Sequence, residues 1–206
     1  MNRALVLLFS GLLILGSCSS SSTSKTAEKK AKKEEKAEPV GAMKAYFRIY
    51  QSARTWAADV DSLKMESISL NSMPGKEGLY PAWRMTLVSP SKRQAKSYTY
   101  SVVAAEGLYK DVFAGHDEAY AAPRGQTAPF PIQALKIDSD AAYQTALKKS
   151  ADFLKKNPDL PVHMVLEKVK EFGNPVWRVY WGTTINTSNY SIYVDASTGE
   201  YMKTMH

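Results

Sequence analysis

The chain has 206 residues, 44% hydrophobic, 23% charged and 11% aromatic, the balance of one sizeable globular domain or two small ones. It is too apolar to be disordered throughout, and no apolar run reaches the roughly 20 residues of an unambiguous membrane helix. A single cysteine excludes an intrachain disulfide framework and a Cys-rich zinc site, and the formal net charge is +7, from 27 Lys and Arg against 20 Asp and Glu.

Residues 1–17 read MNRALVLLFSGLLILGS: one cation, Arg3, then an apolar stretch over 4–15, then the small residues Gly16 and Ser17. A charged start, a short apolar middle and a small-residue end make a secretory signal. Its last residues run into Leu15-Gly16-Ser17-Cys18. That tetrad resembles the lipobox of bacterial lipoproteins, and the cysteine it needs is the only one in the chain. The resemblance implies a diacylglycerol thioether on Cys18, removal of residues 1–17 and acylation of the new N-terminus. Several acyl chains hold a protein at a membrane where one is marginal. It also implies an extracytoplasmic location. In a Gram-negative cell, Ser19 after the cysteine would send the protein to the outer membrane, facing the periplasm.

Residues 18–40 hold the lipidated cysteine and a Ser-rich, then Lys/Glu-rich tether, SSSSTSKTAEKKAKKEEKAEP, with nothing apolar larger than alanine before Val40. Such a stretch cannot form a core and is expected to be a solvated linker. Its six lysines and four glutamates leave it only +2, weak for holding anionic lipid or cell wall. In residues 41–206, 20 cations and 16 anions remain, scattered without a basic block. A nucleic-acid partner would need a basic face with stacking aromatics, so none is expected.

Two stretches then repeat. PAWRMTLVS (81–89) is similar to PVWRVYWGT (175–183) at an offset of 94, and YTYSVVAAEGLYK (98–110) to YSIYVDASTGEYM (190–202) at an offset of 92. The change of offset is expected in the hairpin loops between them. A helical stripe precedes each copy: Tyr46, Ile49, Tyr50, Ala53, Ala57 and Val60 in the first, Tyr143, Leu147, Ser150, Ala151 and Leu154 in the second. Ser139 or Asp140 is expected to cap the second helix, with Pro158 beyond its end. Strands follow over 63–70 and 162–169, with a bulge allowed in either. Trp83, Met85 and Leu87 should share one strand face, as should Trp177, Val179 and Trp181. Gly107 and Gly199 read as turns.

The expected fold class is therefore α+β: two tandem units, each a helix packed on an antiparallel sheet of three to four strands. The first unit spans 41–113, a Gly/Pro-containing connector 114–138, and the second unit 139–206. Each buries little core alone, so the two are expected to pack together, a continuous sheet being one way to do so.

The second copy, ending Tyr193-Val194-Asp195-Ala196-Ser197-Thr198-Gly199-Glu200 after Pro175-x-Trp177-x-Val179, resembles the PepSY domain. In that ending Asp195 can accept backbone N–H bonds and Gly199 can supply a positive φ. The first copy departs from the pattern, with Val103 in the aspartate's place and Glu106 in the threonine's. The tandem layout also looks like that of secreted β-lactamase inhibitor proteins, an analogy of architecture alone. The PepSY resemblance implies a binding or inhibitory module without catalysis of its own.

No chemistry-bearing motif argues otherwise: there is no HExxH, GxSxG or Gly-rich phosphate loop. His163 alternates with apolar neighbours and reads as structural, His116-Asp117-Glu118 as a polar loop, and His206 ends the chain. Asp138-x-Asp140 lacks the glycine and distal glutamate of a calcium loop. Asn186-Thr187-Ser188 matches a glycosylation sequon but reads as a hairpin loop. No catalytic residue, metal or cofactor is expected. The best binding surface is the sheet face away from the helices, where alternation places Arg84, Arg178, Tyr180 and Tyr193; covering by domain packing is the plainer alternative. The expected function is a lipid-anchored, non-catalytic module binding an exported protein or peptide, a peptidase included. The alternative is an envelope scaffold binding cell wall or an assembly machine. The oligomeric state is left open.

Overall fold

The computed structural model describes residues 37–105, 107–121 and 127–206. The signal, Cys18 and the tether as far as residue 36 lie outside the described residues.

The elements are α1 (Ala42–Trp56), β1 (Asp61–Ile68), β2 (Ala82–Ser89), β3 (Gln94–Ser101), β4 (Asp111–Ala119), the short β5 (Thr127–Ala128), a 3-10 turn at Ile132–Ala134, α2 (Ser139–Lys149), α3 (Ala151–Lys156), β6 (Val162–Val169), β7 (Val176–Trp181), β8 (Ser191–Asp195) and β9 (Tyr201–Met205). They make one open antiparallel sheet in the order β4-β3-β2-β1-β6-β7-β8-β9, with β5 paired to β6. This is the α+β class. The middle of the sheet is the antiparallel seam Lys64↔Glu167, Met65↔Leu166, Glu66↔Val165.

The seam is short because β1 bulges at Leu63, between the pairs Ser62↔Leu87 and Lys64↔Thr86. Beyond the bulge the two strands part and the connector fills the gap. Thr127 and Ala128 pair Val169 and Lys168, and Phe130 exchanges backbone bonds of 2.8 and 2.9 Å with Ser62. The buried Phe130 ring closes the opening. Part of the segment read as a connector is thus sheet: β4 carries on through Ala119, past residue 113 where the first unit was expected to end, and Thr127–Ala128 form β5. The ladder with β3 is irregular between Lys96 and Tyr98, where Gly115 lies against the Ser97 carbonyl, so the strand's alternation is broken and hard to read from sequence.

Both helices cover one face. Trp83, Met85, Leu87, Trp177, Val179 and Trp181 all point into this layer and are buried, as their spacing predicts. The Trp83 and Trp177 rings meet edge to face at 6.2 Å in the centre. Each indole N–H reaches the residue two before a helix: Trp83 Nε1 donates to the Val40 carbonyl at 3.0 Å, Trp177 Nε1 to Ile137 at 2.9 Å.

Of the first helical stripe, Tyr46, Ile49 and Ala53 are buried on α1 and Tyr50 is half-buried, while Ala57 and Val60 are buried beyond the helix's end at Trp56. The second is shifted by one residue. Ala142, Ala146 and Ser150 are buried, Tyr143, Leu147 and Leu154 are half-buried, and Ala151 is exposed. The indole-rich layer beneath leaves room only for small side chains, so the large ones flank the contact. The helix also breaks at Ser150, whose hydroxyl donates to the Ala146 carbonyl at 2.8 Å.

The cap of α2 is Asp138 rather than Ser139 or Asp140, its carboxylate accepting from Ser139 N at 2.7 Å. The same Asp138 carboxylate accepts from Met43 N at 2.9 Å, and Ser139 Oγ accepts from Ala42 N at 2.9 Å. The two helix N-termini therefore meet, and α1 is capped from the other half of the chain. Its own N-cap is Gly41, where a Cβ would collide with the Asp138 carboxylate.

The cross-strand register also corrects the repeat. Trp83 pairs Tyr100 as Trp177 pairs Val194, and Val102 N donates to Pro81 O as Ala196 N donates to Pro175 O, both at 2.9 Å. The offset is thus 94 through the third strand of each half, not 92. The hairpin loops are matched in length, and the two extra residues of the first half follow Ser101, before Gly107. Ser101, not Val103, stands where Asp195 stands.

Candidate functional site

The turn after β8 is built as its sequence predicts. Asp195 accepts from Ser197 N at 2.7 Å and Thr198 N at 2.9 Å, and from Asn174 Nδ2 at 3.0 Å. Gly199 has φ +80°, and its N–H closes on the Asp195 carbonyl at 2.9 Å.

On that face one row of paired residues crosses the whole sheet: Phe113, Thr99, Arg84, Glu66, Val165, Arg178, Tyr193 and Lys203. Three of the four residues expected to bind, Arg84, Arg178 and Tyr193, lie in it. Tyr180 lies in a neighbouring row with His163, Ser191 and Met205. The face carries no helix.

Their environments differ. Arg84 is exposed and makes no hydrogen bond or ion pair among the described residues. Arg178 is half-buried; its Nε donates to Ser191 Oγ at 3.2 Å and its guanidinium lies 5.7 Å from the Tyr193 ring centre. Tyr180 and Tyr193 are buried, a correction to the open-face reading. His163 stacks on Tyr180 at 5.4 Å, and Phe172, in the loop after β6, packs on Tyr193 at 5.4 Å. Burial pushes both phenols above their ordinary range and pushes the His163 imidazole down, towards the neutral form.

Three carboxylates share the surroundings, and sequence reading did not single them out. Glu66 is held by Lys64 at 2.6 Å. Glu171 is held by Lys203 at 2.7 Å. Glu167 is only 8% exposed. Burial raises its carboxyl above the usual range, and Lys64 and Arg178 offset this only in part. Alternation along 162–169 would have placed Glu167 on this face, but an isolated glutamate in a strand ordinarily means solvent, and that hid it.

The sheet edges are unlike. β4 carries Asp111, His116, Asp117 and Glu118, the charges that discourage pairing with another chain. β9 carries Tyr201, Met202 and Met205, each more than a third exposed, with one cation, Lys203. Among the described residues no group of three or more His, Cys, Asp or Glu could hold a metal ion, and no helix is long and apolar enough to cross a membrane. The arrangement is two guanidiniums in one row, that of Arg178 beside the buried Tyr193 ring, with the ion-paired Glu66 between them.

No protein-family model and no curated protein matches the chain. Among solved structures it is similar to a crystal structure from Clostridium difficile 630, of a protein provisionally named a lipoprotein, with 14% identity over 78% of this chain and 91% of that one and a TM-score of 0.45. That is a likeness of layout, and it assigns no role to the helix-free face.

Proposed function

We propose that the chain is a lipid-anchored envelope protein, held through Cys18, whose folded body binds an exported polypeptide on its helix-free face and catalyses nothing. The observation that carries this reading is the row Arg84–Glu66–Val165–Arg178–Tyr193 on the face without a helix, with Arg84 exposed, Glu66 and Arg178 half-buried and Val165 and Tyr193 buried among them. Its chemistry is that of a protein interface: two guanidiniums, one on an aromatic support, flanked by paired charges. An exported peptidase is the partner class that the PepSY resemblance implies.

The body is read as two PepSY-like units derived from one. In favour are the matched indole bonds to Val40 and Ile137, the matched bonds to Pro81 and Pro175, and the constant offset of 94 across both third strands. The second unit keeps the Asp195–Gly199 turn; the first replaces its aspartate by Ser101.

The test uses the full chain in detergent, immobilised and exposed to envelope extract. A defined polypeptide retained by the natural protein should be lost with Thr86→Trp, which raises a bulky ring from the helix-free face, and kept with Lys148→Trp on the outside of α2. Retention of purified cell-wall polymer and of no polypeptide would overturn the reading in favour of a scaffold. Anchoring is tested separately: Cys18→Ser should release the protein from membranes, and unchanged membrane retention would refute lipidation.

A further inference from the structure

We propose that the helix-free face reads an extended acidic segment, Arg84 and Arg178 taking carboxylates four residues apart in the partner; this rests on the binding reading above and names the chemistry of its ligand. The two arginines sit in one cross-strand row with Glu66 and Val165 between them. Three interstrand steps separate them, about 14 Å. Neither has a carboxylate within ion-pair distance among the described residues. Among the described residues Arg178 hydrogen-bonds through its Nε alone, to Ser191 Oγ, which leaves its terminal nitrogens for a ligand.

The protein's own carboxylates do not fill this role. Glu66 is taken by Lys64 at 2.6 Å, and burial disfavours the charge on Glu167. Two guanidiniums, neither ion-paired among the described residues, thus lie in one row, and the ligand that complements them is anionic at two points. A guanidinium binds a carboxylate through two parallel N–H bonds, and the Tyr193 ring beside Arg178 limits the freedom lost on binding.

Spacing narrows the ligand further. An extended chain advances about 3.4 Å per residue and alternates its side chains, so positions i and i+4 lie roughly 14 Å apart on one face. Laid along the row, such a chain sets i on Arg84 and i+4 on Arg178. Position i+2 then faces Glu66 and Val165, where a lysine is welcome and a third carboxylate is repelled.

The probe is a fluorescein-labelled nonapeptide with glutamates at its third and seventh positions, lysine at its fifth and serine, threonine or glycine elsewhere. Its control is the isomer with the second glutamate moved to the sixth position. Fluorescence anisotropy with the full chain in detergent should show the first peptide binding roughly tenfold more tightly than the second. Arg84→Ala and Arg178→Ala should each weaken the first peptide by roughly tenfold, abolish the preference and reduce the salt dependence. Arg178→Gln, which keeps the side chain's bulk, should do the same with an unchanged melting temperature. Equal affinity for the two spacings, or binding unmoved by the arginine variants, overturns the inference. Arginine-dependent binding to phosphatidylglycerol vesicles without peptide binding also overturns it, in favour of lipid phosphate. If the variants still retain the natural protein's polypeptide from extract, the binding reading survives and only the acidic ligand falls. If the natural protein retains none, both fall.

Discussion

The two halves of the sheet place their aromatic anchors alike and differ in polar detail. In the β6–β9 half, Asp195 gathers two backbone N–H groups and the Asn174 amide. At the matching place in the β1–β4 half, Ser101 makes only a 2.6 Å bond to the Val103 carbonyl and long ones to Pro81 O and Val103 N. The helices divide similarly: α2 has its own cap, and α1 borrows both of its side-chain acceptors from Asp138 and Ser139. The lesson is that duplicated-looking scaffolding need not be independent. One half holds the polar groups that finish the other.

The strongest way to break this comparison is through the shared aromatic centre. Trp83→Ala and Trp177→Ala should each cost about 3–5 kcal/mol, and urea unfolding should remain one transition in both. Two separated transitions would show halves that stand alone. Next, Asp138→Ala should cost about 2 kcal/mol, the upper end for one cap, because it strips both helices. Amide exchange should rise at Ala42 and Met43 as well as at Ser139; a change confined to Ser139 would deny the shared cap.

The turns provide a finer contrast. Asp195→Ala should lose about 1–2 kcal/mol in urea unfolding and Ser101→Ala less than about 1 kcal/mol. Equal losses would mean the carboxylate adds nothing over the hydroxyl. The smallest effect is a pH dependence on the helix-free face. Burial raises the Glu167 carboxyl, so its ionisation costs the folded state increasingly as pH rises from the unfolded value of about 4.5 to the raised folded one. Glu167→Gln should therefore melt higher than the natural protein at pH 7, with the gap closing below about pH 4. A gap that widened in acid would mean the charged form is the favoured one.

How far the sequence could be read follows from which signals have a unique period. The Trp83-Met85-Leu87 and Trp177-Val179-Trp181 faces were legible because alternation and bulk agree. The offset of the second repeat was not, because tyrosines at 98, 100 and 190 allow a slip by two, and a slip by two leaves every side chain on its original face. The α2 stripe was misplaced by one because Tyr143 and Leu147 outweigh Ala142 and Ala146 in any hydrophobic count, whereas close approach to an indole layer favours the alanines. Of the candidate site, the helix-free face was found for Arg84 and Arg178, but the burial of Tyr180 and Tyr193 depends on Phe172 and His163, whose approach no local pattern encodes. The cap on α1 comes from Asp138, distant in the chain and part of the second helix's start, so nothing local to α1 encodes it.

The β1–β6 seam has a further meaning for biogenesis. A ribosome makes β1 roughly a hundred residues before the strand that covers its inner edge. Until then the nascent protein shows an unsatisfied ladder at Lys64–Glu66 and a first helix without acceptors at its start. Such a product is a substrate for chaperones and proteases, and one that stops short of β6 is a seed for intermolecular sheet growth. The fold therefore carries its own length check: only a polypeptide that extends through β6 conceals both defects.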